Sequence, residues 1–162
     1  MIFITLGSQK FQFNRLLKAV DEQIGEGKIR DTVFAQTGAS DYKPQHFEYQ
    51  TFLDRDAFSE RMDNANIVIT HGGTGAIIGA VKKGKKVIAV PRLARYGEHV
   101  DDHQLQLLEQ FRELGLICEC QECEEIWKAV ETVKTMEYKS YQSNTVRIIE
   151  SLEQFIKNEV KV

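Results

Sequence analysis

The sequence lacks the features that mark membrane-spanning and secreted proteins. Its 162 residues include only three cysteines and two prolines. The apolar runs, such as Ile67–Ile69 and Val87–Pro91, are of strand length, and none approaches the roughly 20 residues that a membrane-spanning helix needs. The first five residues have no basic segment and no small-residue cleavage site, so we expect no signal peptide. An odd number of cysteines fits a reducing compartment better than a disulfide-stabilised secreted domain.

An excess of charge of one sign is also missing. The 21 Lys and Arg residues against 24 Asp and Glu residues give a formal net charge of −3. A dedicated nucleic-acid-binding domain normally has a basic face and a high pI, so we expect no nucleic-acid partner. Hydrophobic residues make up 42% of the chain, which is enough for a folded core. These properties predict one cytoplasmic domain over 1–162, recruited to a membrane only through a partner.

Apolar runs of strand length alternate with segments of helical periodicity. The predicted strands are Ile2–Leu6, Thr32–Thr37, Phe47–Phe52, Ile67–Thr70, Val87–Val90 and Leu116–Cys118. The predicted helices begin near Asn14, Phe58, Thr74, Val100 and Ile126, and a last helix lies within 142–160. This order predicts an α/β fold, a Rossmann-like and mostly parallel six-stranded sheet with helices on both faces. Such sheets bind ligands beyond the carboxyl ends of their strands, at the topological switch point.

The loops that follow the predicted strands are polar and rich in glycine. They contain Gly7, Ser8 and Gln9 after the first strand, Thr37 and Gly38 after the second, and His71, Gly72, Gly73, Thr74 and Gly75 after the fourth. Glycines let the backbone approach a ligand closely, and a helix N-terminus offers unpaired N–H groups and a positive dipole end. The pattern therefore favours a phosphate or diphosphate site, although tight turns between strands and helices would also explain the glycines.

A dinucleotide cofactor is a weaker interpretation of the same loops. No G-x-G-x-x-G motif follows the first strand, and the second ends in Thr37-Gly38, where an NAD-binding enzyme has an acidic residue for the ribose. The sequence also has no G-x-x-x-x-G-K-[ST] phosphate loop and no G-x-S-x-G nucleophile elbow.

The order of the loop motifs resembles the C-terminal, donor-binding half of glycosyltransferase family 28. The motifs are G-S-Q, Q-T-G, H-G-G-T-G, V-P-R and D-D-H-Q, within Met1–Cys120. The resemblance implies half of a GT-B fold and a UDP-sugar donor. It is closest to free-standing catalytic subunits, the eukaryotic one of the dolichol pathway and those of bacterial capsule and exopolysaccharide synthesis. It further implies inverting transfer to a polyprenyl-diphosphate-linked saccharide, with a membrane-anchored subunit that binds this acceptor.

The resemblance also implies roles for individual residues. The substrate-binding residues would be Gly7, Ser8, Gln9, Thr37, Gly38, Phe52, Leu53, His71, Gly72, Gly73, Thr74, Gly75, Arg92, Asp102, His103 and Gln104. Phe52 and Leu53 would contact uracil through backbone groups, and residues 71–75 would hold the diphosphate. His103 and Gln104 would hydrogen-bond the transferred sugar.

The polar residues of these loops have structural alternatives. Glu98, with His99 beside it, is the candidate general base, although clefts of this kind usually take the base from the acceptor side. His71 could instead cap a turn, and His103 could pair with Asp101 at the start of a helix.

Three further features qualify the implied site. Arg92 could contact the diphosphate or a partner, or could be an ordinary surface cation. Many relatives hold the ribose with a glutamate at the position of Gly79, so another group would have to replace it. The C-x-C-x-x-C run at 118–123 has no fourth ligand nearby, and we expect neither a metal nor any other cofactor.

Two alternatives concern the whole chain. It could be a non-catalytic UDP-sugar-binding or regulatory subunit whose partner performs the transfer. The helix within 142–160 has an apolar face of Ile149, Leu152 and Ile156. This face would either dock on the acceptor subunit or pack on the chain's own sheet.

Overall fold

The computed structural model describes residues 1–7 and 10–138, and the helical positions 147, 150, 151 and 154. Within them, six strands form one sheet in the order β3-β2-β1-β4-β5-β6. The strands are β1 (Ile2–Thr5), β2 (Val33–Gln36), β3 (Glu48–Gln50), β4 (Ile67–Thr70), β5 (Lys86–Ala89) and β6 (Cys118–Glu119). The helices are α1 (Asn14–Gly25), α2 (Arg55–Asn64), α3 (Thr74–Lys82), α4 (His103–Glu113) and α5 (Ile126–Thr135), with short 3-10 turns at Ala94–Tyr96 and Cys123–Glu125.

The central strands are buried on both faces because apolar side chains point in both directions. Successive residues of a strand face opposite sides of the sheet, so Ile2 and Ile4 belong to one core and Phe3 to the other. Helices α1 and α5 cover the first core, to which they contribute Leu16, Leu17, Val20, Ile126, Val130 and Val133. Helices α2, α3 and α4 cover the second, with Met62, Ile77, Val81, Leu108 and Phe111. The predicted Rossmann-like sheet with helices on both faces is confirmed.

The strand order places a topological switch point between β1 and β4. From β1 the chain continues to β2 on one side, whereas β4 pairs with the other side of β1. All five strand pairs are parallel, so the carboxyl ends meet at one edge of the sheet. The loops after β1 and β4 therefore flank the crevice in which sheets of this kind bind ligands.

Several element boundaries differ from the sequence predictions, and α2 begins at Arg55 rather than near Phe58. Val100 does not begin the fourth helix; it lies in the preceding loop with 72% of its surface exposed, and α4 begins at His103. The sixth strand begins at Cys118, two residues later than predicted. This shift arises because Leu116 closes α4 through a hydrogen bond from its N–H to the Phe111 carbonyl and then packs in the core.

The connection between β2 and β3 is a loop without a helix, and Asp21 of α1 holds it. The Asp21 carboxylate accepts hydrogen bonds from the Tyr42 hydroxyl at 2.7 Å and from the backbone N–H of Gln45 and His46. Burial raises the pKa of Asp21, but these hydrogen bonds outweigh burial and leave the pKa below its ordinary value. A charged residue can therefore lie on the buried side of α1 with only 3% of its surface exposed.

The apolar face predicted for the C-terminal helix lies outside the described residues. The positions that are described there, Arg147, Glu150, Ser151 and Gln154, are helical and exposed. In the part of the chain that the structure describes, no helix has both the length and the hydrophobicity of a membrane span.

Candidate functional site

The loop after β4 brings a buried imidazole against two glycines. His71 follows β4 directly and is only 5% exposed. A Cβ atom on Gly7, in the loop after β1, would lie 2.9 Å from His71 Nε2. A Cβ atom on Gly73 would lie 2.3 Å from His71 Cε1. Both positions must be glycine because any side chain there would displace the imidazole.

The surroundings of His71 keep its imidazole uncharged. Burial is the main cause that lowers the pKa of His71 to about 3, and the electrostatic effects of Arg92 and His99 add to it. A neutral imidazole has one nitrogen that donates a hydrogen bond and one that accepts. His71 is therefore a polar but uncharged group of the site, close to the start of α3.

Gln104 connects the loop after β4 with the loop after β5. Its Oε1 accepts hydrogen bonds from the backbone N–H of Gly72 at 3.1 Å and of Arg92 at 3.0 Å. Its Nε2 lies 3.4 Å from His71 Nδ1, and the residue is 7% exposed. The sequence did not reveal these protein contacts, and the contact of Gln104 with a sugar stays a prediction.

Arg92 is buried, so its interpretation as a surface cation is wrong. It is 1% exposed, and its guanidinium donates to the backbone carbonyls of Leu6 at 2.7 Å, Phe11 at 2.9 Å and Gln12 at 3.1 Å. Burial lowers the pKa of Arg92 to about 10, although Glu98 partly opposes this. These contacts hold the loop after β1 in place, and they favour a structural role over the predicted contact with a diphosphate.

Glu98 is fully buried and paired. Its carboxylate accepts hydrogen bonds from Arg15 Nε and Nη2, both at 3.0 Å, and from the backbone N–H of Leu93 at 3.0 Å. A general base needs an oxygen within reach of the substrate hydroxyl. The contacts give Glu98 the role of fixing the turn at Ala94–Tyr96, and the predicted role as general base finds no support in them.

One carboxylate joins two imidazoles at the start of α4. Asp101 lies 3.3 Å from His99 Nδ1 and 3.1 Å from His103 Nδ1, and the predicted pairing of His103 with Asp101 is confirmed. Asp102 accepts a hydrogen bond from the Ala94 N–H at 2.9 Å, which makes it part of the same loop. Roles for His99 as a base and for Asp102 and His103 as sugar ligands stay predictions.

The ends of β2 and β3 lie on the other side of the crevice. The backbone N–H of Thr37 donates to the Gln50 carbonyl at 2.9 Å. Gly38 lies so close to the loop after β1 that a Cβ atom on it would be 2.8 Å from the Gly7 carbonyl oxygen. Phe52 is exposed, whereas the N–H of Leu53 donates to the Gln36 side chain at 2.9 Å.

A cavity of about 340 Å³ opens between α2 and α3 at this edge. Its lining consists of Thr5, Gly7, Gln36, Phe58, Met62, Gly75, Ala76 and Gly79. A Cβ atom on Gly75 or Gly79 would meet nothing within 4 Å, so α3 presents bare backbone to the cavity. Small-molecule pockets typically measure about 300–1,000 Å³, so this one has room for a small ligand group. The sequence pointed to Gly7, Gly75 and Gly79, whereas it used Phe58 only to place a helix.

The structure brings most of the predicted glycine-rich loops together at one crevice. Thr74 is the first residue of α3, and Gly75 faces the cavity. The dipole of a helix favours an anion at its N-terminus. Ser8 and Gln9 lie outside the described residues. The assembled crevice joins a helix N-terminus with an adjacent cavity, which suits a diphosphate with a group attached to it.

A family model described as the glycosyltransferase family 28 C-terminal domain matches residues 1–158 of the chain. The chain belongs to this family. Its family 28 domain is similar to the UDP-N-acetylglucosamine transferase subunit ALG13 of Homo sapiens, with 27% identity over 128 residues, and to that of Mus musculus, with 26% over 125 residues. These matches cover 74% and 73% of this chain but only 11% and 10% of the two relatives.

Solved structures of glycosyltransferases share the fold of the family 28 domain. The crystal structure of the kitacinnamycin glycotransferase has a TM-score of 0.60 at 16% identity and covers 97% of this chain and 39% of that one. The solution structure of ALG13 has a TM-score of 0.56 at 19% identity, and the match covers 96% of this chain and 94% of that one. The crystal structure of Acinetobacter baumannii MurG has a TM-score of 0.54 at 15% identity, and the match covers 93% of this chain and 49% of that one. The likeness establishes the fold, half of a GT-B glycosyltransferase.

Proposed function

We propose that this family 28 domain is the donor-binding and catalytic subunit of a UDP-sugar glycosyltransferase. The observation that carries the proposal is the crevice at the switch point, where the His71–Gly75 loop enters α3 beside the cavity. The diphosphate would lie at the N-terminus of α3, and the nucleoside would extend into the cavity. The names of the two ALG13 relatives, both UDP-N-acetylglucosamine transferase subunits, support UDP as the nucleotide.

The reaction proposed is one displacement at the anomeric carbon with inversion. The acceptor hydroxyl oxygen attacks this carbon, the bond from the carbon to the phosphate oxygen breaks, and UDP leaves with the bonding electron pair. The hydroxyl proton passes to a base that is not assigned. The protein's contribution is to position the donor and to stabilise the charge that develops on UDP, through the dipole of α3 and the neutral His71. No metal is required in this proposal because the helix terminus takes the place of a cation.

The proposals for the acceptor and the partner rest on the relatives and not on the geometry of the site. We propose a polyprenyl-diphosphate-linked saccharide as acceptor, in capsule or exopolysaccharide synthesis at the inner face of the plasma membrane. A separate membrane-anchored subunit would bind this acceptor. The word "subunit" in the names of the ALG13 relatives supports such a partner. In MurG and the kitacinnamycin enzyme the matching region fills 49% and 39% of the chain, which leaves room there for further parts.

The test is calorimetry of the purified chain with UDP, NAD and ATP, each with magnesium and with a chelator. We expect UDP to bind in both conditions with the same affinity. Absence of UDP binding alongside tight NAD or ATP binding would overturn the donor assignment. Turnover of a panel of UDP-sugars with a lipid-diphosphate acceptor, with and without the partner, then separates an enzyme from a binding subunit.

A further inference from the structure

We propose that Gln104 is a positioning residue that holds His71 as the neutral tautomer protonated on Nε2. In this form the Nε2–H is a fixed hydrogen-bond donor between Gly7 and Gly73. This N–H would donate a hydrogen bond to the diphosphate of the UDP-sugar, and that part of the inference rests on the proposed function. The tautomer itself rests on contacts within the chain.

The orientation of the Gln104 amide follows from its two backbone partners. Its Oε1 lies 3.1 Å from the Gly72 nitrogen and 3.0 Å from the Arg92 nitrogen, and both of these groups can only donate. If the amide were turned over, its NH₂ group would face two N–H donors in a buried site, and both hydrogen bonds would be lost. The oxygen therefore faces the two loops, and Nε2 faces His71.

This orientation decides which nitrogen of His71 carries the proton. An amide nitrogen donates and does not accept, so His71 Nδ1, at 3.4 Å from Gln104 Nε2, must be the acceptor. The proton of the neutral ring is then on Nε2. The Nε2 atom lies where Cβ atoms on Gly7 and Gly73 would be only 2.9 and 2.8 Å away, so the two glycines leave open the space around this N–H.

The surroundings also oppose the doubly protonated ring. Burial is the main obstacle to a second proton, and two groups on neighbouring segments, Arg92 after β5 and His99 before α4, add to its effect. The carboxylate of Glu98 is engaged by Arg15. A proton on Nδ1 would also point at the Gln104 NH₂ group. His71 therefore offers a hydrogen bond to an anion without becoming charged, and this donor does not titrate near neutral pH.

Gln104→Glu is a matched variant for this role. A carboxylate keeps the oxygen that accepts from Gly72 and Arg92, so the link between the loops is retained. Among the contacts within the chain, it removes only the donor to His71 and replaces it with an acceptor. The ring would then carry a proton on Nδ1, either as a cation at low pH or as the other neutral tautomer at high pH. Gln106→Glu, at an exposed position of the same helix, adds the same charge without touching His71.

The first measurement is nitrogen-15 NMR of the histidine rings between pH 5.5 and 8. We expect the wild-type His71, assigned with His71→Gln, to show a protonated Nε2 and an unprotonated Nδ1 throughout. In Gln104→Glu we expect a protonated Nδ1 and a ring that titrates. A wild-type His71 protonated on Nδ1, or one that titrates in this range, would overturn the proposal whatever the variants do.

The second measurement is the affinity for UDP-N-acetylglucosamine at both ends of this pH range. This probe is chosen over UDP because a terminal phosphate titrates at about pH 6. At pH 8 Gln104→Glu should bind about 10- to 100-fold more weakly than Gln106→Glu, the loss of one hydrogen bond to a charged group. At pH 5.5 the difference should shrink, because the cationic ring again donates from Nε2.

Equal affinities of the two variants at both pH values would overturn the role of Gln104 in donor binding. Failure of the wild type to bind this and other UDP-sugars would instead remove the proposed function. The tautomer would then still be decided by the NMR spectra, so the two failures are distinguishable.

Discussion

At the scale of single residues, the site depends on positions that have no side chain. Gly73 and Gly7 leave room for the imidazole of His71, and their lack of a Cβ atom is visible in the sequence as a pattern of glycines. The buried partners are not visible in this way. The sequence allowed Arg92 as a surface cation and Glu98 as a general base, because their partners, Leu6 and Arg15, lie 86 and 83 residues away. Residue type alone does not reveal which polar side chains are buried.

Gly73→Ala should weaken UDP binding by about 10- to 100-fold, because the new methyl group displaces His71 and removes a hydrogen bond to a charged group. Calorimetry measures this loss. Gly27→Ala is the control, since a Cβ atom there meets nothing within 4 Å. Its φ of +77° should cost roughly 1 kcal/mol of stability while UDP affinity is kept. Equal UDP affinities in the two variants would argue against the close contact at Gly73.

Arg92→Met should lower the free energy of unfolding by about 3 kcal/mol, because several buried carbonyl oxygens lose their donor. Urea denaturation measures the change. Arg95→Met, at an exposed position in the next turn, should change the stability by less than about 0.5 kcal/mol. A similar small effect for both variants would show that the guanidinium of Arg92 does not hold the loop after β1.

At the scale of elements, periodicity predicted the six strands and their helices. The four inner strands, β1, β2, β4 and β5, lie in the middle of a two-sided core, whereas the residues of the edge strand β3 are exposed. Periodicity failed where contacts between distant residues determine the shape or the boundary of an element. The start of α4 is set by two carboxylates, and Val100 is left outside. Asp101 accepts a hydrogen bond from the N–H of His103, the first residue of α4, and Asp102 accepts one from the Ala94 N–H in the preceding loop. The loop between β2 and β3 is likewise shaped by Asp21 of α1, a residue that local propensity does not single out.

Asp21→Asn should destabilise the protein by about 2 kcal/mol at pH 7, because hydrogen bonds to a charged acceptor are lost. The folded pKa of Asp21 lies below its unfolded value. Its contribution is therefore complete above the unfolded pKa and is lost as the pH falls through the folded one. Chemical denaturation from pH 7 down to pH 3 should show the gap to wild type closing. Glu22→Gln, exposed on the next position of α1, should show no such gap at any pH.

At the scale of the whole molecule, a ligand that binds only the folded chain must stabilise it. UDP at 100 times its dissociation constant should add about 2.7 kcal/mol to the free energy of unfolding. Thermal denaturation should show a Tm higher by several degrees, and the increase should vanish in Gly73→Asp, whose carboxylate repels a diphosphate. An equal increase with the variant would place the UDP elsewhere.

The C-terminal segment is proposed to dock on the acceptor subunit. Truncation before Ser143 should then leave a folded chain that binds UDP but no longer co-purifies with the membrane fraction. Loss of both solubility and UDP binding would show instead that Ile149, Leu152 and Ile156 belong to the core.

The hydrogen bonds from Arg92 to the loop after β1 also set an order of events during folding. They join residues separated by up to 86 positions, so the loop after β1 is held only in a chain that also has the segment after β5 in place. Closing such long loops is slow compared with forming a helix, because the entropy is lost before the contact is gained. We therefore expect the loop after β1 to be fixed later in folding than the helices, and the affinity for the ligand to appear with it.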